Sequence, residues 1–394
     1  MGRRLAVGVG VALGTTLLVA GVTSAGLVGL HGTPPRDVVV TSTPTAPPPS
    51  AAPARPASSP AAADPVPAEV VLAEQLLDPV VVPVRSVDRV AVLVQAYDHA
   101  SGPVVFAFDA TAAQWVRLEL PGDADPLALR VSPDGRAVLR QRLTPELLVT
   151  VEVVELAGGT AHPVSVPVPQ GRVADDCSVE TTWASTGRIG VVSGCLVPAT
   201  GPGPGPAYVG MDTWVHEIDL ATGGARVVEH VPASAPLENN PAYSPDGRFL
   251  AYGIGYGVAE GEDEEWETLR IVQVDGSGTA KEQDMTRAVG GDPWAGAHRV
   301  LGWTWPDAAD AVGSHLLVDA RTGGTTPLGV DGFATALGFV GGRLVVDDGP
   351  WSPQTAQRTL SAVDLDTGQV QPWLAVPDGV ELTAVSVARA VVTP

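Results

Sequence analysis

Lysine is almost absent from this chain: of 23 basic residues only Lys281 is one, and they face 44 acids across 394 residues, for a formal net charge of -21. Nucleic acid is excluded as a partner, because phosphate binding needs a basic stripe and none is visible. Such an acidic surface is read as solubilising. The seven histidines, His31, His99, His162, His216, His230, His298 and His315, are scattered and form no close metal pair. There is no Gly-x-Ser-x-Gly elbow, so that class of hydrolase lacks its nucleophile signature. Gly-x-Gly patterns such as Gly253-Ile-Gly255 fall within strands and open no helix, which removes a nucleotide loop. Neither a cofactor nor a catalytic or metal-ligating residue is singled out.

One long hydrophobic run is present, at the start. Leu5 to Leu30 is uncharged, 26 residues long and preceded by Arg3 and Arg4. A membrane-spanning helix needs about 20 apolar residues and a signal peptide an apolar centre of about 7 to 15, so length favours an anchor over a cleaved signal. The arginines orient residues 1–4 in the cytoplasm and everything beyond residue 30 outside. Thr23-Ser24-Ala25 keeps signal cleavage, and a secreted product, as the alternative. No cysteine ends the run, so a lipoprotein is excluded. Residues 31–69 are mostly Pro, Ala, Ser and Thr, a composition that cannot bury enough surface to fold and reads as a semi-rigid, disordered spacer.

Residues 70–394 change to short Val, Leu and Ala runs broken by Gly, Pro and Asp, without long helical periodicity. Two units recur. In Tyr243-Ser-Pro-Asp-Gly-Arg-Phe-Leu-Ala-Tyr-Gly253, Pro245 fixes the first corner of a turn and Gly247 takes its positive-φ position. Phe249, Ala251 and Gly253 then face one way and Leu250 and Tyr252 the other, so the strand needs cover on both sides. Leu127–Leu139 repeats this hairpin; Thr182–Val192 and Leu337–Val346 are looser copies. The second unit joins two strands through an acidic residue and a glycine turn, as at Val215–Val228, Leu316–Gly324 and Ala362–Gly368, with weaker versions at Phe106–Val116, Val153–Val164 and Ile271–Thr279.

Markers at Asp109, Leu156, Asp219, Asp275, Asp319 and Asp364 lie 47, 63, 56, 44 and 45 residues apart, which suits the four-stranded blade of a β-propeller. The hairpin unit supplies the inner two strands and the Asp-Gly unit the outer two. Six blades are favoured, seven being the alternative. Val380–Val392 reads as an inner hairpin that pairs with the strands at Val70–Leu77 and Arg89–Val94 to close the ring.

The turns at 132–136 and 244–248 resemble the repeat of TolB-type and WD40-like propellers, and the looser copies extend the likeness across residues 70–394. The WD dipeptide is missing, which places the resemblance on the bacterial TolB-like side. That branch implies periplasmic or cell-surface binding of a protein or cell-envelope component rather than catalysis; family membership alone names no ligand.

Cys177 and Cys195 are equidistant from Thr186, at the centre of the third hairpin's turn. Residues so placed face each other across two strands, close enough for a disulfide, which persists outside the cytoplasm. The acidic run Glu260–Glu267 fits no calcium loop and reads as solvated rather than as a cation site. Trp294, Trp303 and Trp305, around the start of the fifth blade, are assigned to core between blades rather than to a ligand platform. Two functions remain open: a membrane-tethered binding propeller, or a propeller enzyme such as a lyase or hydrolase acting on an envelope carbohydrate. An enzyme needs buried polar groups converging in the channel, a binder only an exposed patch.

Overall fold

The computed structural model describes residues 64–393, except 122–125, 144–148, 174–176, 199–207, 233–240, 257–265, 277–279, 286, 289–292, 305–313, 329–334 and 348–358. The expectations for residues 1–63, including the membrane run and most of the spacer, fall outside the described residues, as do Trp305 and most of the acidic run.

The described chain is an all-β propeller of six blades, each a four-stranded antiparallel meander. Blade 2 runs Pro126–Val131, Ala137–Leu143, Val149–Glu155 and Ala161–Val164 from the inside outward; blade 3 runs Cys177–Ser185, Arg188–Pro198, Tyr208–Asp219 and Ala225–Val231. Blade 4 (Ala242–Tyr243 to Lys281–Met285), blade 5 (Arg287–Ala288 to Thr325–Pro327) and blade 6 (Thr335–Val340 to Val370–Ala375) follow the same plan. Blade 1 is composite. Its inner strand is Val380–Val387, and Val90–Asp98, Gly102–Asp109 and Gln114–Arg117 complete it.

The repeated turn works as its residues require. Ser244 Oγ donates to Asp246 Oδ1 at 2.7 Å and accepts from Phe249 N at 3.0 Å, while Gly247 takes φ +69°. Ser132, Asp134 and Gly135 repeat the pattern. The buried serine thus satisfies backbone donors that the turn leaves unpaired. Past the turn, Phe249 and Ala251 pack with blade 5, and Leu250 and Tyr252 with blade 3. Both faces of this strand are covered. At the outer turns Asp109, Asp219, Asp319 and Asp364 each accept two backbone N–H bonds from the following residues, and those bonds hold the Asp219 and Asp364 carboxyls below their usual range.

Closure differs from the expected pairing. Val380–Val387 pairs with Val90–Asp98, but Val70–Leu77 takes no part in that blade. One inner position is vacant in blade 1, so a single strand fills it. Residues 64–88 instead form a strap around the outside. Val66–Pro67 pairs in parallel with Val392–Thr393, Ala68–Val71 makes one helical turn, Gln75–Leu76 adds a fifth, parallel strand to blade 6, and Val84 bridges Arg117 at the edge of blade 1. The strap covers two outer edges that would otherwise offer unpaired backbone. Trp373 Nε1 donates to Val71 O at 2.9 Å and Arg117 Nη1 to Pro79 O at 2.8 Å, fastening it. The largest buried cluster, with Trp373, Phe106, Leu93, Leu72 and Leu77, lies at this seam.

Candidate functional site

Three places in the ring offer chemistry: the channel, blade 3, and a groove beside the strap.

The inner strands expose their free edges to the channel, and side chains of neighbouring blades satisfy several of those backbone groups. Gln95 Nε2 donates to Leu129 O and Gln141 Nε2 to Val179 O, and Ser386 Oγ accepts from Val131 N; Trp183 Nε1 donates to Arg130 O, on the side of that strand that pairs within the blade. Trp294 Nε1 donates to Ala242 O at 2.9 Å, and its ring is buried between blades 4 and 5, in the core position expected of it. Arg389, just past the inner strand of blade 1, donates to Tyr243 O at the end of the opposite inner strand in blade 4, at 2.5 Å. Blades 1 and 4 face each other across a six-membered ring. The bond therefore spans the channel at the end where the Ser-Pro-Asp-Gly turns lie.

Blade 3 has the longest strands and carries the disulfide. Cys177 pairs with Cys195 in register, with Cα atoms 4.0 Å apart and the sulfurs bonded. Next to Cys195 on the third strand is Asp212, and Asp212, Trp214 and His216 alternate onto one face. Arg172 Nη2 donates to Asp212 Oδ2 at 2.6 Å, and His230 Nε2–H donates to Oδ1 at 2.8 Å. Burial pushes the Asp212 carboxyl up, but these two hydrogen bonds outweigh it and the net displacement is downward. The His230 ring stacks on Trp214 with centroids 3.8 Å apart. Asp212 is thus fully engaged as a holding group. Among the described residues no hydroxyl or thiol is hydrogen-bonded to His230.

Buried polar atoms without a partner concentrate here. Among the described residues there are eight such side-chain atoms, and five belong to blade 3: Glu180 Oε2, Ser193 Oγ, Thr213 Oγ1, Trp214 Nε1 and His216 Nδ1. A sixth, the Tyr243 hydroxyl, belongs to a ring that packs where a Cβ on Gly190 of blade 3 would stand. Glu180 lies on the inner strand. Burial raises its carboxyl above the usual range, and Arg130 offsets this in part. Burial also lowers His216 and raises Tyr243. These groups lie on both faces of the blade and converge on no common point.

The groove lies outside the seam. It encloses about 440 Å³ and is lined by Val70, Ala73, Gln75, Leu76, Val81, Val82 and Pro83 of the strap and by Phe108, Ala113, Gln114 and Trp115 of blade 1. Val70, Leu76, Val80, Val81 and Val84 are half of the ten exposed large hydrophobic residues among those described. Val80 and Val81 are 91% and 74% exposed at the tip of a turn that Asp78 holds through hydrogen bonds to Val80 N, Val81 N and Val82 N. The tip is fixed, not frayed.

Of these residues the sequence pointed to the cysteines and to Trp294. Asp212, Trp214 and His216 alternate along one strand that nothing in the sequence set apart, and Arg172 and His230 reach Asp212 only through the folding of the blade. The strap valines from Val70 onward were read as part of the closing blade, and the strand pairing places Gln75–Leu76 against blade 6 instead. The acidic run Glu260–Glu267 joins the second and third strands of blade 4; of it, Trp266 and Glu267 are described, and Glu267 pairs with Gly255 and Met285.

No protein-family model and no curated protein matches the sequence. Solved structures with similar folds include TolB from Acinetobacter baumannii, 12% identical over 76% of this chain and 67% of that one, with a TM-score of 0.47. Oligogalacturonate lyase from Vibrio parahaemolyticus is 12% identical over 71% and 78%, TM-score 0.46, and the β-propeller domain of the Trilobed protease from Pyrococcus furiosus is 14% identical over 74% and 81%, TM-score 0.43. The assignment as a six-bladed β-propeller rests on the strand pairing itself.

Proposed function

We propose that the chain is an extracytoplasmic β-propeller, tethered through residues 5–30, that binds a protein or cell-envelope component. The observation that carries this reading is the rigid apolar groove at the strap, an exposed surface of the kind that marks an interaction site. The 26-residue uncharged run behind two arginines supports the tether. Crosslinking in intact cells tests the binding reading: recovery of one partner is expected, and failure to enrich any partner over an unrelated tethered domain would overturn it. Cell fractionation tests the tether. The full-length chain should stay with membranes; an intact form in the medium with a new N-terminus near Gly26 would establish secretion instead.

Glu180, a half-buried carboxyl group on an inner strand with one buried oxygen unpartnered, favours the second reading, a propeller enzyme acting on an envelope carbohydrate. Turnover of envelope glycan fragments by the wild type, lost in Glu180→Gln, would replace the binding reading with this one.

A further inference from the structure

We infer that the strap groove is a docking site for an extended peptide of a partner protein, one whose apolar side chains are flanked by basic residues. The inference rests on the binding reading above and names the class of partner.

Its shape is concave. Phe108 and Trp115 contribute to its lining while themselves 3% and 7% exposed, so they form a fixed floor rather than protruding anchors. The side chains of Gln75 and Gln114 border it, and Gln75 Nε2 donates to Leu76 O at 3.2 Å on the outer edge of the strap strand. Ala113 on its border has φ +49°, the left-handed position that Gly223, Gly323 and Gly368 fill in the matching outer turns.

Charge decides the partner. Glu69 and Glu74, both exposed, alternate in sequence with the lining residues Val70, Ala73 and Gln75, while Arg85 is the exposed base of this stretch. The chain as a whole carries -21. The strap, residues 64–88, holds five acids against Arg85, with Arg117 of blade 1 bonded to its Pro79 O, and this acidic excess repels an anionic bilayer and attracts a segment bearing Lys or Arg. A flat lipid surface would also meet only the Val80–Val81 tip and leave the concavity empty.

The test uses the soluble chain from residue 31 onward beside the full-length protein in detergent, and a fluorescent, end-blocked peptide in which valine and lysine alternate. Binding is read by anisotropy. The wild type should bind the Val/Lys peptide, and Val81→Ser, which changes an exposed residue without adding charge, should weaken it about tenfold, the worth of one buried valine contact. Glu74→Lys should weaken it too, and added salt should do the same. Unchanged thermal midpoints check that both variants fold. Equal binding of a Val/Glu peptide, no effect of Val81→Ser, or binding only to phosphatidylcholine vesicles would each sink the assignment. If wild type and Val81→Ser crosslink to the same cellular partner equally well, the groove is wrong while the binding-module reading stands.

Discussion

Blade 3 and the closure seam between blades 6 and 1 solve the same problem with opposite materials. At the seam, two pieces of chain from opposite ends are held by apolar packing: Trp373, Leu360, Leu374, Leu93 and Leu72 are all fully buried in one cluster that also takes in the strap. Blade 3 puts polar groups on its faces, leaves five of their atoms without partners, and ties its inner hairpin covalently. Unpaired buried polar atoms cost about 1–3 kcal/mol each, so a blade built that way needs support from elsewhere. The disulfide supplies it by restricting the unfolded chain. The seam needs none, because each blade there buries apolar surface against the next.

The sharpest way to break this contrast is at the seam. Trp373→Ala should lower stability by about 3–5 kcal/mol, as large-to-small changes in a closed core do, read as a fall in the denaturant midpoint. Loss of the Nε1 bond to Val71 O should also expose residues 64–88 to protease first. A smaller loss confined to local fraying would mean that the strap, and not the core, closes the ring. In blade 3 the double change Cys177→Ala with Cys195→Ala should cost about 3 kcal/mol for a loop of 18 residues. Reduction of the wild type should reproduce it.

Next in size is Gly135→Ala. A Cβ there would fall on the Val90 carbonyl, and φ is +75°, so a cost of about 1–3 kcal/mol is expected. Gly223→Ala, at φ +68° with open space around it, should cost about 1 kcal/mol. Equal losses would show that the Ser-Pro-Asp-Gly turn of blade 2 does not press on the seam.

The smallest effects separate the two acids of blade 3 by pH. Burial raises Glu180, so its charged form is penalised in the fold above its folded pKa, and the penalty fades as pH falls toward and below the unfolded value. Glu180→Gln should therefore gain about 1 kcal/mol at neutral pH, and that gain should vanish in acid. Asp212 is the reverse. Its net displacement is downward, so its contribution is present above the unfolded carboxylate pKa and is lost as pH falls through the folded one. Asp212→Asn should be less stable at neutral pH and approach the wild type in acid. Urea midpoints across that range would check both signs.

The turns were legible because proline, aspartate and glycine act on their own backbone. Ser244, Pro245, Asp246 and Gly247 place a corner whatever surrounds them, and the alternation after Arg248 announces a strand covered on both faces. The cysteine pairing was legible for a related reason: Cys177 and Cys195 flank one short hairpin, and a bulge between Trp183 and Ser185 sets the register that places them opposite each other. The ends of the chain were not legible in the same way. Residues 64–69 share the composition of the spacer before them, yet Val66 and Ala68 are buried and the strap wraps two blades. Nothing local marks a segment whose partner is three hundred residues away.

What the sequence determined alone is therefore the repeat: the hairpins, the Asp-Gly turns and the cysteine pair within one hairpin, all set by contacts between residues close in the chain. The tertiary structure alone decided the rest. It chose which strand fills the vacant inner position of blade 1, sent Arg389 across the channel to Tyr243, joined Arg172 and His230 to Asp212, and left five apolar residues of the strap facing solvent around a groove. These are relations between distant segments. They exist only once the ring has closed, because ring closure sets the distances between them.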